Sequence, residues 1–250
     1  TYRPQNAVVA VTGNFNKADM LKKIEDVFGN WSSEGFAEEK YAAATYIPTT
    51  LVISKDVEQI HMCFTFKAPK RDSRHRFSLA VLNTLFGGGM SSRLFQKIRE
   101  EAGLVYTIYS YTSAYSDTGV MTVYACTSPQ KAAEVVESIF REIKRLKTER
   151  IEDKLISVTK EQIISNYIIG SESTVNRLNS NGGGMVLTGK LLTMEEILER
   201  MEAVNYSSLK DAIDEIFTAD NLSFSAVGNI EGIDFEGLIA NGKQILYNEN

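Results

Sequence analysis

Apolar residues along this chain recur at two periods, and the changes of period predict its elements. Ala7 to Thr12 is a short apolar run closed by Gly13-Asn14, which predicts a buried strand. Asn16 then has the chemistry of a helix cap. Met20, Leu21, Ile24, Val27 and Phe28 follow at helical spacing, and Gly29 supplies a stop. Residues 32–50 lack any period and carry Ser, Gly, Ala and Pro48, the composition of a linker. Ile60, Met62, Phe64 and Phe66 alternate with His61, Cys63 and Thr65, as in a half-buried strand. Phe77 to Phe86 is apolar nearly all round and predicts a deeply buried helix.

After Gly87-Gly88-Gly89 comes a short amphipathic helix that ends near Arg99, and a strand opens at Tyr106. Tyr106–Tyr115 and Val120–Thr127 read as two strands joined through Ser116-Asp117-Thr118-Gly119, a hairpin. Ala132, Val135, Val136, Ile139, Ile143 and Leu146 form one stripe of a long helix. Further helices are predicted over roughly 150–168, 172–180, 194–203 and 206–217, with Asn181-Gly182-Gly183-Gly184 as a helix stop. Leu222 to Val227 is a last strand, and a short helix follows Gly232. Tyr109, Tyr111 and Tyr115 share a strand face, which either lines a chamber or packs under neighbouring helices.

The two ends repeat each other. Asn6 precedes an apolar run that reaches Gly13-Asn14-Phe15. Asn221 precedes another that reaches Gly228-Asn229-Ile230. This predicts a duplicated domain. Residues 1–48 would be the closing strand–helix unit of a preceding homologous domain plus a linker, and 49–250 a complete second domain. The lack of an initiator Met at Thr1 carries the same expectation of a longer protein. The order of elements predicts an α+β fold. Its sheet is mixed and mostly antiparallel, with helices packed on one face and the Leu222–Val227 strand closing it.

Composition narrows the function. The 250 residues are 43% hydrophobic and 24% charged, with net charge −5 and no basic block. Nucleic acid and anionic membrane are therefore poor partners. No apolar run approaches the roughly 20 residues of a membrane span. Cys63 and Cys126 lie inside strand-like runs, as reduced core thiols do, which fits a cytoplasmic protein.

Catalytic equipment is sparse. His61 and His75 are the two histidines, and neither belongs to a His-x-x-Glu-His pattern. His61 is mid-strand, and His75 falls in the charged run Arg71 to Arg76, a solvated loop before a helix with Asp72 or Ser73 as cap. No metal ligand set is expected in this chain. The glycine triplet lacks the Gly-Lys-Ser/Thr ending of a phosphate loop. What remains is Arg99 and Tyr106. Arginine offers a rigid, permanently charged fork, and a phenol can donate to a carbonyl or a developing oxyanion. The spacing alone equally allows Arg99 to pair with Glu100 or Glu101 and Tyr106 simply to start a strand.

The run Gly87-Gly-Gly-Met-Ser-Ser-Arg-Leu-Phe95, then Ile98-Arg-Glu-Glu-x-Gly-Leu-x-Tyr106, resembles the C-terminal half of the M16 (insulinase and pitrilysin) zinc metallopeptidases. The bacterial processing-peptidase branch is the most similar. Tyr2-Arg-Pro-x-Asn6 with Gly13-Asn14, the hairpin with Gly119, and Glu172-Ser-Thr-x-x-Arg177 are similar too. The resemblance implies the non-zinc half of a zinc endopeptidase that closes around its peptide substrate. It implies Arg99 and Tyr106 as the catalytic pair, and Gly87, Gly88 and Gly89 as a substrate-binding loop. Zinc would be held only by a homologous half, in the same chain or in a partner subunit, and this fragment alone would be inactive. A homodimer is also compatible with the family. The alternative is a non-catalytic scaffold or partner subunit of the same fold.

Overall fold

Alternation along Ile60–Ala68 is what builds the centre of the molecule. In the computed structural model, which describes residues 3–32 and 42–247, Ile60, Met62, Phe64 and Phe66 are fully buried. The residues between them face the other way. This strand, β2, belongs to a five-stranded sheet with β1 (Thr50–Ser54), β3 (Thr107–Ala114), β4 (Gly119–Thr127) and β5 (Leu222–Gly228). The order is β1-β5-β2-β4-β3. Only the β1–β5 pair is parallel, so the sheet is mixed and mostly antiparallel, as expected.

Helices cover the inner face. These are α2 (Arg76–Phe86), α3 (Ala132–Thr148), α7 (Tyr206–Ile216) and α8 (Phe235–Tyr247), while α4 (Asp153–Ser171), α5 (Thr174–Thr188) and α6 (Met194–Glu202) lie beyond them. Phe64 meets Phe140 of α3 edge-on with ring centres 5.9 Å apart, and Phe217 packs on Phe66 at 5.0 Å and Phe86 at 5.4 Å. Helices α3 and α8 approach closely because Gly242 has no side chain. A Cβ there would stand 2.1 Å from the Phe140 ring.

The other sheet face is open. Tyr109 and Tyr111 are on it, 42% and 43% exposed, whereas Ile108 and Ser110 between and beside them are buried. The tyrosines therefore do not pack under the helices. Tyr109 instead stacks on Tyr124 of the neighbouring strand, with ring centres 5.0 Å apart.

Four local expectations are corrected. Ala7–Thr12 is not a strand: no strand of the sheet pairs with it, and Val8, Val9 and Val11 stay exposed. The following helix, α1 (Lys17–Phe28), forms as expected, with the Asn16 side chain accepting from the amides of Ala18 and Asp19, but it buries no residue. Thr50–Ser54 is a strand that the sequence did not predict, and Thr50, its first residue, was expected to end the linker. It pairs with β5, which makes β5 an inner strand rather than the closing edge. Of the remaining linker, residues 33–41 fall outside the described residues. The rest has no regular structure but is pinned by Tyr46, whose hydroxyl bonds Thr65 O and Ser223 Oγ. Finally, the glycine run does not stop α5, which continues through Gly182–Gly184 to Thr188. The stop is Gly189, at φ +66°.

Candidate functional site

The path from the glycine triplet to Tyr106 is held at both ends. Gly87 caps α2 and lies against β3: its carbonyl accepts the Ser110 amide at 3.0 Å, and a Cβ on it would stand 2.5 Å from that nitrogen. Gly87 is buried and is there for close approach; Gly88 and Gly89 are exposed. The Gln96 side-chain amide donates to Met90 O, folding the exposed limb back onto the next helix.

That helix starts at Arg93 and is π-wound over Phe95–Glu101, a winding that apolar spacing does not signal and that is often found at functional sites. It is tied to α3 by Arg93. Its guanidinium pairs with buried Glu142 at 3.4 Å and with Glu149 at 3.1 Å, and Arg145 holds the other Glu142 oxygen at 2.7 Å. Arg93 sits in the quoted motif but was not among the candidates read from the sequence.

Between Arg99 and Tyr106 the chain reverses at Gly103, in the left-handed region at φ +60°. The Gly103 amide donates to Arg99 O and the Leu104 amide to Ile98 O. Buried Ile98, Leu104 and Val105 anchor the turn. Thr127 donates its hydroxyl to Leu104 O, and Lys131 donates to Gly103 O. The Tyr106 amide enters the sheet by donating to Cys126 O. Both candidate side chains stay on the surface: Arg99 is 43% exposed and Tyr106 67%. Arg99 lies over the Phe95 ring at 4.8 Å and is a loose 4.0 Å from Glu100. An exposed pair at that distance is worth little, so the guanidinium can still engage an anion or a carbonyl. The turn thus presents a cation and a phenol from two sides of one rigid reversal.

On the open sheet face, His61 Nδ1 is hydrogen-bonded to the Tyr124 hydroxyl at 2.7 Å. Burial, with Cys126 next in effect, pushes Tyr124 up to about 12. Both cysteines are free thiols with pKa raised by burial, so neither is an activated nucleophile. His75 accepts from Arg74 and lies 3.9 Å from Glu215. Among the described residues no three His, Cys, Asp or Glu side chains gather where a metal ion could be held, so this donor set does not fit a zinc ion. Nor is any described helix long and apolar enough to cross a membrane.

Known proteins resemble this chain in sequence and in fold. The family described as "Peptidase M16 inactive domain" matches residues 1–163. A Bacillus subtilis protein named as an uncharacterized zinc protease, YmxG, is 35% identical over 221 residues, covering 88% of this chain and 53% of that protein. An uncharacterized zinc protease of Rickettsia bellii is 30% identical over 223 residues, covering 89% and 53%. The chain thus spans about half the length of the curated relatives it matches. Among solved structures, a protease from Helicobacter pylori superposes with TM-score 0.79 at 19% identity, covering 86% of this chain and 54% of that one. A peptidase M16 inactive domain from Pseudomonas fluorescens superposes with TM-score 0.76 at 17% identity, covering 86% and 52%. The motif around the Gly103 turn, the sheet behind it and these matches together make the chain a member of the M16 peptidase family, carrying its inactive domain.

Proposed function

We propose that this chain is the non-zinc half of a zinc endopeptidase, and that Arg99 and Tyr106 bind substrate carbonyls and the oxyanion formed during peptide hydrolysis. The observation that carries the reading is the pinned reversal at Gly103. It holds an exposed guanidinium and an exposed phenol on a scaffold fixed by buried Ile98, Leu104 and Val105. Such donors stabilise charge without reorganising as it develops. Gly88 and Gly89 form the exposed limb that receives the peptide backbone, and Gly87 anchors that limb to β3. Zinc would reside in a homologous half, preceding in the same chain or in a partner subunit. A homodimer and a cytoplasmic location belong to the same proposal.

In this reading residues 1–48 pack with the preceding domain, and 49–250 form a domain of their own. The exposed apolar side chains of Val8, Val9, Val11, Leu21 and Val27 support that division. The test is Tyr106→Phe and Arg99→Ala in the complete enzyme with its zinc half. Each is expected to lower turnover about 100-fold without changing circular dichroism. Turnover near that of the parent enzyme in both variants would overturn the assignment.

A further inference from the structure

A second constellation stands apart from the Gly103 turn. The loop before α2 and the facing surface of α5 and α6 enclose a cavity of about 310 Å³. Arg71, Arg74, Arg76, Lys190 and Arg200 line it, with Asp72 as its one carboxylate. No described carboxylate comes within ion-pair distance of any of the five cations, although most other arginines of the fold are paired. Arg71 Nε is buried and has no hydrogen-bond partner. Partial burial, then the charges of Arg71 and Arg200, push the Arg76 guanidinium below its ordinary range. Like charges are therefore held near one another, with Asp72 and Tyr167 offsetting part of the repulsion on Arg76 and the Arg74 guanidinium donating to the His75 ring. Ser180 and Asn181 add neutral donors, and Phe77, Leu192 and Ile197 add an apolar wall that strengthens any charge interaction inside.

The cavity lies toward the far end of β3 from Tyr106. The Arg71 amide donates to Tyr115 O, just past that end, and the strand's eight residues at about 3.4 Å each span roughly 27 Å. It is thus no part of the proposed catalytic pair. We infer that this cavity is a binding site for a small polyphosphate anion, either free or as the phosphate chain of a nucleotide. Arginine forks suit phosphate oxygens, and the volume is at the lower end of small-ligand sites.

The experiment is calorimetric titration of the 250-residue chain with sodium tripolyphosphate and, separately, ATP, at fixed ionic strength. Saturable binding of one anion per chain is expected, with a rise in melting temperature. Arg76→Gln and Arg200→Gln should each weaken it about tenfold or more, while Lys154→Gln, on α4 away from the cavity, should not. Lys190→Gln, at an exposed position, serves if either arginine variant fails to fold. Equal affinity for the two probes would assign the phosphate chain alone as ligand, and tighter ATP binding a nucleotide. Absence of saturable binding, or binding indifferent to these substitutions, would overturn the site. Binding of polyglutamate with none of tripolyphosphate would also overturn it, in favour of docking an acidic protein segment. Since none of these readouts involves peptide hydrolysis, the result is independent of Arg99 and Tyr106.

Discussion

Tyr124 and Gly87 show how much a single residue's surroundings decide. The Tyr124 phenol, desolvated by burial and next to Cys126, is raised to about 12 against an unfolded value near 10. A raised folded pKa means the native state holds this proton more tightly. Its contribution to stability is complete below pH 10 and is lost as pH rises from 10 through about 12. Urea midpoints measured across that window should fall in the parent chain, and the fall should be shallower in Tyr124→Phe. Gly87 makes a steric demand instead. Gly87→Ala places a methyl 2.5 Å from the Ser110 amide, and β3 must yield. A loss of about 2 kcal/mol is expected, read as a lower urea midpoint with unchanged slope. Neither property follows from residue type. The glycine triplet is visible in the sequence, but only the Ser110 contact shows which of its members is structural.

At the scale of elements, the π-wound helix depends on α3 through a charge cluster. Glu142 is almost fully buried and shared by Arg93 and Arg145, so removing either leaves the carboxylate half-satisfied. Arg93→Ala should cost about 2 kcal/mol, since Arg145 still offsets part of the charge. It should also lower turnover of the complete enzyme by misplacing Arg99. Circular dichroism and a denaturation curve separate the two effects. Element identities were largely legible: β2, α2, the hairpin, α3 and β5 follow from periodicity and turn residues. The glycine run in α5 was misread because glycine lowers helix propensity without forbidding helix. The helix runs through the three glycines although α5 buries no residue, and the left-handed Gly189 performs the stop.

At the scale of the molecule, burial is uneven. The sheet and its four covering helices hold the core, while α1 and the segment before it bury nothing among the described residues beyond partial contacts. Amides of α1 should therefore exchange with solvent orders of magnitude faster than those of β2. Hydrogen-exchange mass spectrometry resolves the two peptides. Equal protection in the isolated chain would show that α1 is docked on the domain, and would count against the proposed division near residue 48.

The sequence by itself determined the α+β class, the family and the Arg99–Tyr106 candidates, because alternation, helical spacing and local motif residues act over a few neighbours. It could not decide the fate of its two matching ends. Ala7–Thr12 and Leu222–Gly228 carry the same pattern, yet only the second is a strand, since only it lies between β1 and β2 with both rows of backbone groups paired. A strand is completed by its neighbours, and neighbours distant in sequence come from the tertiary fold. The same reason hid β1, which is short and borders the linker. It also hid the basic cavity, whose cations come from positions 71–76, 190 and 200 and meet only in the fold, where the loop before α2, the end of α5 and α6 border one cavity.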